Sequence, residues 1–236
     1  MKLIIAEDIV NVFHHLRIGV VVARGIDNLG YSEEIERIKR ASAEAVRQKL
    51  SPENLSRHPY IAAWRETYRR FGTKPKKYRP TAEALLRRIL RGEDIPTISK
   101  VVDLYLAVEA EFYLPIGGYD LDRITGDIVL RFSPGGESFI PFGMTQVKET
   151  TYPGEIVYSD SSKILTRRWN YRDCDSAKIT RETRNLVLFC EAALSDIPID
   201  PLARCVQQLA IYLQRFCNGS IVTHLIEARV KREQEL

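Results

Sequence analysis

The spacing of the apolar residues changes once along the chain, and this change restricts the possible folds more than any other feature. Before residue 115 apolar side chains recur mostly at the 3.6-residue spacing of helices. After residue 127 they alternate or form short runs bounded by turn residues, which is typical of strands. No apolar run reaches the roughly 18 residues that a membrane span needs. The chain is therefore predicted to be an α+β protein, with helices around a mostly antiparallel sheet region.

Capping and turn residues predict the element boundaries. Ser32 is predicted to cap one helix, Pro59 to open the next helix and Gly72 to end it. The predicted helices cover residues 32–50, 59–72, 81–91, 98–114 and 201–216, and the predicted strands cover residues 18–23, 127–133, 138–142, 155–159, 163–169 and 185–190. Within helix 81–91, Ala84, Leu85 and Ile89 should face inward. The charged tail 231–236 is predicted to be frayed.

Length and missing motifs exclude several classes of protein. A chain of 236 residues can bury a sizeable core, so one domain over residues 1–236 is expected. Glu7 and Asp8 lie where a signal peptide needs an apolar core, so a cytoplasmic location is expected. The four cysteines form no CxxC pair, which favours reduced packing residues over a metal site. Neither GxxxxGK(S/T) nor GxGxxG is present, so no cofactor is expected.

The basic residues are concentrated in one segment. Residues 64–91 contain ten Lys or Arg and two acidic residues, so this segment carries a charge of +8 while the whole chain carries +4. Cations neutralise phosphates, and the aromatic rings between them can stack on unpaired bases. A second cluster of cations and aromatic residues covers residues 167–172. We predict that RNA is bound by cations of the segment and of this second cationic cluster, namely Arg69, Arg70, Lys74, Lys76, Lys77, Arg79, Arg167 and Arg168. The alternative is a solvated basic face between two helices.

Two pairs of aspartates are candidates for ligand binding or catalysis. Asp120 and Asp122 follow a flexible double glycine, and Asp173 and Asp175 follow the second cationic cluster. Carboxylates in such places can anchor an amino group or orient a water. The alternative is turn chemistry, because Asp side chains bond their own backbone in turns and helix caps. The residues alone leave both interpretations open.

Four short motifs occur in an order that is similar to that of a known family. They are Val101-Val102-Asp103-Leu104 with Leu114 to Ile124, Gly136-Glu137-Ser138-Phe139, Val157-Tyr158-Ser159-Asp160, and Ile179 to Glu191 with Glu182-Thr183-Arg184-Asn185. Over residues 60–200 their order and spacing resemble the B3/B4 domain of the bacterial phenylalanine–tRNA ligase beta subunit. With its two basic clusters, the chain resembles the freestanding B3/B4 proteins more closely still.

This resemblance implies a fold and an activity. The fold would be a three-layer B3/B4-like unit with a β-sandwich-like core and surrounding helices. In the ligase the domain removes a wrong amino acid from tRNA, and freestanding relatives would edit in trans on an aminoacyl-tRNA released by a synthetase. Such editing is needed because one pocket distinguishes a methylene by only about 1–3 kcal/mol. The expected partners are tRNA and an aminoacyl-tRNA synthetase, and complete tRNA ligase activity is not expected.

The resemblance also assigns candidate site residues. Gly117 stands where the family has its editing histidine, and Asp175, or Asp173 with one gap, stands where it has its editing glutamate. We predict that these aspartates hold the substrate ammonium group and that the N–H groups of Gly117 and Gly118 support the developing oxyanion. The predicted substrate-binding residues are Tyr119, Asp120, Glu137, Trp169, Asn170 and Ser195.

Two other functions fit the same residues. The chain could be a non-catalytic RNA-binding module that keeps the fold, or a small-molecule amino-acid binder that uses the pocket without RNA. Salt dependence separates the last function from the others, because phosphate contacts weaken steeply as salt rises.

Overall fold

The computed structural model describes residues 1–236, which form six α-helices and twelve β-strands. The helices are α1 (Glu7–Val12), α2 (Glu33–Lys49), α3 (Pro59–Arg70), α4 (Thr81–Leu90), α5 (Lys100–Phe112) and α6 (Ile199–Cys217). The strands are β1 (Lys2–Ile5), β2 (Arg17–Arg24), β3 (Ile116–Asp120), β4 (Ile128–Phe132), β5 (Ser138–Phe139), β6 (Glu149–Thr150), β7 (Ile156–Ser159), β8 (Ile164–Arg167), β9 (Arg172–Asp173), β10 (Leu186–Ala192), β11 (Ser220–Glu227) and β12 (Glu233–Glu235). None of the helices combines the length and the apolar character needed to cross a bilayer.

The helix boundaries confirm the capping predictions. Ser32 Oγ accepts a hydrogen bond from the Ile35 N–H, which satisfies a donor in the first turn of α2. Pro59 is the first residue of α3, and Gly72 follows its end at a φ of +76°, a conformation that glycine adopts without steric cost.

The inward face of α4 differs from the prediction at one position, since Leu85 and Ile89 are buried as expected. Ala84 is exposed, whereas the neighbouring Glu83 is fully buried. The Glu83 carboxylate accepts from Arg65 Nη1 at 2.8 and 2.9 Å and from Arg87 Nε at 2.8 Å. A hydrophobic pattern cannot reveal this orientation, because the buried position carries a charge that two arginines compensate.

The strands form two main sheets and a short hairpin. The six-stranded sheet has the order β12-β1-β4-β7-β8-β9, and the four-stranded sheet has the order β11-β2-β10-β3. The pairing of β1 with β4 is parallel and every other pairing is antiparallel, which confirms the predicted sheet type. Strand β5 pairs with β6 and ends at Phe139, so the strand predicted over residues 138–142 is shorter than expected.

The two sheets face each other, and helix α6 covers the outer face of the smaller one. Tyr158 of β7 stacks on Phe189 of β10 with ring centroids 5.3 Å apart. On the opposite face of the four-stranded sheet, a Cβ at Gly19 would clash with Val206 of α6, so only glycine allows this close approach. These contacts confirm the α+β prediction and give the expected layers of sheet, sheet and helix.

The prediction of a frayed tail over residues 231–236 is wrong for the last strand. Glu233–Glu235 pair antiparallel with β1, with Gln234 opposite Leu3 and largely buried. All four cysteines are buried free thiols, as predicted for packing residues.

Candidate functional site

A cleft of about 260 Å³ opens between the two sheets beside helix α5. Its walls come from β3, β10, α5 and the turn that joins β8 to β9. The lining residues include three carboxylates and a set of aromatic rings, namely Glu109, Asp173, Glu191, Tyr105, Tyr119, Phe142, Tyr158, Trp169, Tyr171 and Phe189. The cleft therefore offers apolar surface and negative charge to a ligand.

The aromatic wall is organised around Trp169. Its ring makes edge-on contacts with Phe13, at a centroid distance of 4.9 Å, and with Trp64, at 5.3 Å. Trp169 has a φ of +66° and follows Arg168 at +49°, so the chain reverses here and the strand predicted to continue to residue 169 ends at Arg167. Positive φ at two successive non-glycine residues costs free energy and is retained where packing requires it. The turn fixes the Trp169 ring in the cleft wall.

Asp173 carries the carboxylate with a free oxygen in the cleft. The Thr166 hydroxyl donates to Asp173 Oδ1 at 2.5 Å, which leaves Thr166 Oγ1 to accept from the Tyr119 hydroxyl at 2.5 Å. Asp173 Oδ2 has no protein donor. Burial raises the pKa of Asp173 to about 6, and the Thr166 hydrogen bond opposes that shift. Asp173 is therefore mostly ionised at neutral pH and can accept from a cation.

Glu191 binds three side chains of the wall together. Its Oε1 accepts from the Tyr158 hydroxyl at 2.5 Å and from Trp169 Nε1 at 2.7 Å, and its Oε2 accepts from Asn170 Nδ2 at 3.4 Å. Asn170 in turn accepts from the Tyr68 hydroxyl at 2.7 Å. Burial raises the pKa of Glu191 to about 7 despite these donors. This carboxylate fixes the aromatic wall and ties it to α3.

Glu109 of α5 is a cleft residue that the sequence interpretation missed. It is 1% exposed, and the Thr81 hydroxyl donates to its Oε1. Burial raises the pKa of Glu109 to about 8, and the charge of Asp173 adds to this effect. The sequence contained one indication of this residue: Glu109 stands among the apolar residues Ala107, Val108 and Ala110, which are all buried.

The two glycines of β3 face opposite ways. Gly117 lines the cleft, and a Cβ there would meet no atom within 4 Å. At Gly118 a Cβ would clash with the Val187 carbonyl oxygen and with Leu188. The position that corresponds to the family histidine is therefore open space in the cleft, whereas Gly118 is required by close packing. The oxyanion role of their N–H groups stays a prediction.

The structure brings together some of the predicted site residues and separates the others. Gly117, Tyr119, Trp169, Asn170 and Asp173 all line the cleft. Gly118 packs against β10, and four further predicted residues, Asp120, Glu137, Asp175 and Ser195, also lie elsewhere.

Asp175 does not line the cleft, since it lies two residues beyond the end of β9, where the chain no longer follows the strand. Its Oδ1 accepts from Lys178 Nζ at 2.7 Å and from the Gly143 N–H at 2.9 Å. These contacts correct the prediction that Asp175 holds the substrate, and they satisfy the turn alternative for this residue.

Asp120, Glu137 and Ser195 also lie outside the cleft. Asp120 accepts from the Asp122 N–H and from the Thr183 hydroxyl, which is turn chemistry. Glu137 pairs with Arg131 at 2.6 Å. Ser195 is exposed in the loop after β10. Protein groups bind Asp120 and Glu137 and solvent surrounds Ser195, so the structure places none of the three side chains in the cleft.

The basic loop 74–79 lies next to the cleft. Lys74, Lys76, Lys77 and Arg79 are exposed and form no salt bridge, whereas Arg69 and Arg70 are exposed on α3 and pair with Glu66. Tyr78 packs edge-on against Tyr171 of the cleft wall, with ring centroids 5.2 Å apart. The free cations of the loop are thereby fixed beside the cleft entrance.

Arg167 and Arg168 of the second cationic cluster have different surroundings. Arg167 is 2% exposed and pairs with Glu155 at 2.8 Å and with Glu149 at 2.6 Å. This guanidinium is fully used inside the protein, which corrects the prediction that Arg167 binds phosphate. Arg168 is 5% exposed, forms no salt bridge and packs on the Tyr78 ring.

No three or more of the His, Cys, Asp and Glu side chains are arranged to hold a metal ion. The cleft carries carboxylates, hydroxyls and aromatic faces. Such groups can hold a cation and position a water beside a reactive carbonyl.

Comparisons with known proteins identify one family. The family model described as the B3/4 domain matches residues 63–201. Among solved structures, an N-terminal fragment of the phenylalanyl-tRNA synthetase beta-subunit from Pyrococcus horikoshii is similar, with 12% identity and a TM-score of 0.46. The match covers 93% of this chain and 49% of that one, so the chain spans about half the length of that structure. None of the curated proteins matches the chain.

Proposed function

The chain belongs to the B3/4 domain family, and from this premise we propose that it is a trans-acting editing protein that hydrolyses a wrong amino acid from the 3′ end of a tRNA. The substrate is an aminoacyl ester that a synthetase has formed and released. The cleft takes the aminoacyl group, and the basic loop 74–79 takes the RNA backbone.

The observation that carries the proposal is the contact between the basic loop and the acidic cleft. Tyr78, in the middle of the loop, packs on Tyr171, which lines the cleft. A tRNA end that follows the exposed cations therefore reaches the cleft without crossing the protein. Positive charge outside and negative charge inside match a substrate whose phosphates precede an α-ammonium group.

The cleft suits an aminoacyl group in size and charge. Its volume of about 260 Å³ lies below that of pockets for drug-sized ligands, and aromatic rings form much of its wall. Asp173 Oδ2 is free to accept from the α-ammonium group. Glu191 is occupied by three donors, so we assign it to holding the wall rather than the substrate.

The reaction needs a positioned water more than a strong base. An aminoacyl ester is already activated, so fixing it beside a water supplies much of the rate increase. Gly117 leaves space where the family has a histidine, and a free hydroxyl of the terminal ribose is proposed to help activate the water. Water adds to the ester carbonyl, the C–O bond to the ribose breaks, and the ribose oxygen takes the proton.

The test is ester hydrolysis on a panel of correctly and wrongly charged tRNAs at low salt. We expect release of one mischarged amino acid well above the spontaneous rate. The triple variant Lys74→Ala/Lys76→Ala/Lys77→Ala should slow that release and reduce the salt dependence of tRNA binding by about three in log–log slope.

The matched control removes three exposed, unpaired cations of α2 by Arg37→Ala/Arg40→Ala/Lys49→Ala. Both triple variants lower the net charge equally, so a specific role of the loop requires that only the first one loses activity. Equal losses would point to general attraction of RNA and would remove the loop from the proposal.

A non-catalytic RNA-binding module is the second candidate, and Gly117 favours it. A cleft without the family histidine lacks one proton-transferring group. Tight tRNA binding with no hydrolysis of any charged tRNA would select this function. Absence of both binding and hydrolysis would reject both candidates.

A further inference from the structure

Arg168 is a charged side chain in an unusual position. It is 5% exposed, and neither a salt bridge nor a hydrogen bond of its guanidinium to the protein is present. Its φ of +49° places it in the left-handed region, next to Trp169 at +66°. Holding such a turn costs free energy. The guanidinium nitrogens have no protein acceptor and are not fully buried, so they keep contact with solvent and are accessible to an external acceptor.

Three tyrosine rings surround the Arg168 guanidinium. Its Cζ lies 3.7 Å from the centroid of the Tyr78 ring and 5.6 Å from those of Tyr152 and Tyr171. Cation–π attraction stabilises the charge from the ring faces. The guanidinium N–H groups form no hydrogen bond within the protein. These donors remain open to an acceptor with several oxygens.

A second cation shares the same ring. Lys77 Nζ lies 5.1 Å from the centroid of Tyr78, and it also has no carboxylate partner. Glu155 accepts from the Arg168 backbone N–H, but its carboxylate, like that of Glu149, is paired with the Arg167 guanidinium. Both cations lie near the Tyr78 ring without a carboxylate partner, so each would attract an anion at this rim.

We propose that Arg168 and Lys77 form a phosphate-binding site at the rim of the cleft. The planar fork of Arg168 matches two phosphate oxygens, and the exposed Lys77 adds a point charge from the loop. Tyr171 belongs both to this site and to the cleft wall, so a phosphate bound here lies beside an occupied cleft. The identity of the ligand rests on the proposed function: it is the phosphate of the 3′-terminal nucleotide of tRNA.

The test compares adenosine with adenosine 5′-monophosphate by calorimetric titration at low salt. We expect the monophosphate to bind about tenfold more tightly than adenosine. The variant Arg168→Gln should abolish this preference, and Lys77→Gln should reduce it severalfold. Lys49→Gln, at an exposed lysine of α2, should leave the preference unchanged.

Thermal unfolding shows whether each variant folds. If Arg168→Gln does not fold, the Lys77→Gln variant still tests the site, because Lys77 is exposed. Inorganic phosphate that competes as strongly as the monophosphate would assign the site to free phosphate, and weak competition would assign it to nucleotide phosphate. Equal binding of adenosine and its monophosphate, or an unchanged preference in both variants, would overturn the site. Hydrolysis of charged tRNA is measured separately, so a failed phosphate site and a failed editing function give different results.

Discussion

Replacing Glu109 by Gln should stabilise the protein, and increasingly so as the pH rises. Glu109 is 1% exposed, and burial raises its pKa from 4.5 to about 8. Gln has the same shape and can still accept from the Thr81 hydroxyl at its Oε1. The substitution removes a carboxyl group whose ionised form is destabilised by burial in the cleft.

The magnitude follows from proton linkage. Between pH 4.5 and about pH 8 the native state keeps a proton on Glu109 that the unfolded chain has released. The contribution of this group to the free energy of unfolding therefore falls by about 1.4 kcal/mol per pH unit. Between pH 5 and pH 9 the loss is about 4 kcal/mol, and the variant is spared this loss.

The measurement is urea unfolding of wild type and Glu109→Gln at pH 5, 7 and 9. The difference between their free energies of unfolding should grow by about 4 kcal/mol over this range in favour of the variant. Glu111→Gln places the same substitution at an exposed position of α5 and reports the effect outside the cleft. A wild-type-to-variant difference that is constant with pH would refute the linkage argument.

Three further predictions concern the cleft and the sheets. Asp173→Asn should slow the proposed ester hydrolysis at least about tenfold and remove a loss of activity below about pH 6, since burial raises the pKa of Asp173 to about 6 and its ionised form is proposed to hold the substrate. Asp175→Asn should change the rate less than about twofold, so equal slowing in the two pH–rate profiles would contradict this assignment. Gly118→Ala should lower stability by about 1–3 kcal/mol through its clash with Val187, whereas Gly117→Ala should leave the melting temperature nearly unchanged. The amide of Gln234 should be protected in hydrogen exchange because it lies opposite Leu3 in the sheet, and free exchange would mean that the tail is frayed after all.

The sequence predicted the elements whose signals are local. Ser32 and Pro59 mark helix starts because their roles depend on the adjacent turn alone. Strand β1 was not predicted, because its partner β4 lies more than a hundred residues along the chain and supplies the pairing. The burial of Glu83 in α4 was also missed, since it depends on the charge pair with Arg65.

The site was predicted where neighbouring residues share one turn or strand. Asn170 and Asp173 line the cleft together because the reversal at Trp169 and strand β9 bring both to one wall. Glu109 could not be found in this way, because only the packing of α5 against the sheets turns its carboxylate toward Asp173. The burial of Arg167 depends on contacts across paired strands, since its partner Glu155 directly precedes β7, the neighbour of β8.

The position of β1 between β4 and β12 affects how the chain is made. Pairing in this part of the sheet joins residues 231 positions apart, as Leu3 and Gln234 show. At a synthesis rate of about 5–20 residues per second, β1 waits on the order of ten to fifty seconds for its last partner to emerge. During that time its apolar Leu3, Ile4 and Ile5 form an unpaired strand edge, which can join other nascent chains. Rapid translation or early chaperone binding should therefore raise the yield of folded protein more than a stronger core would.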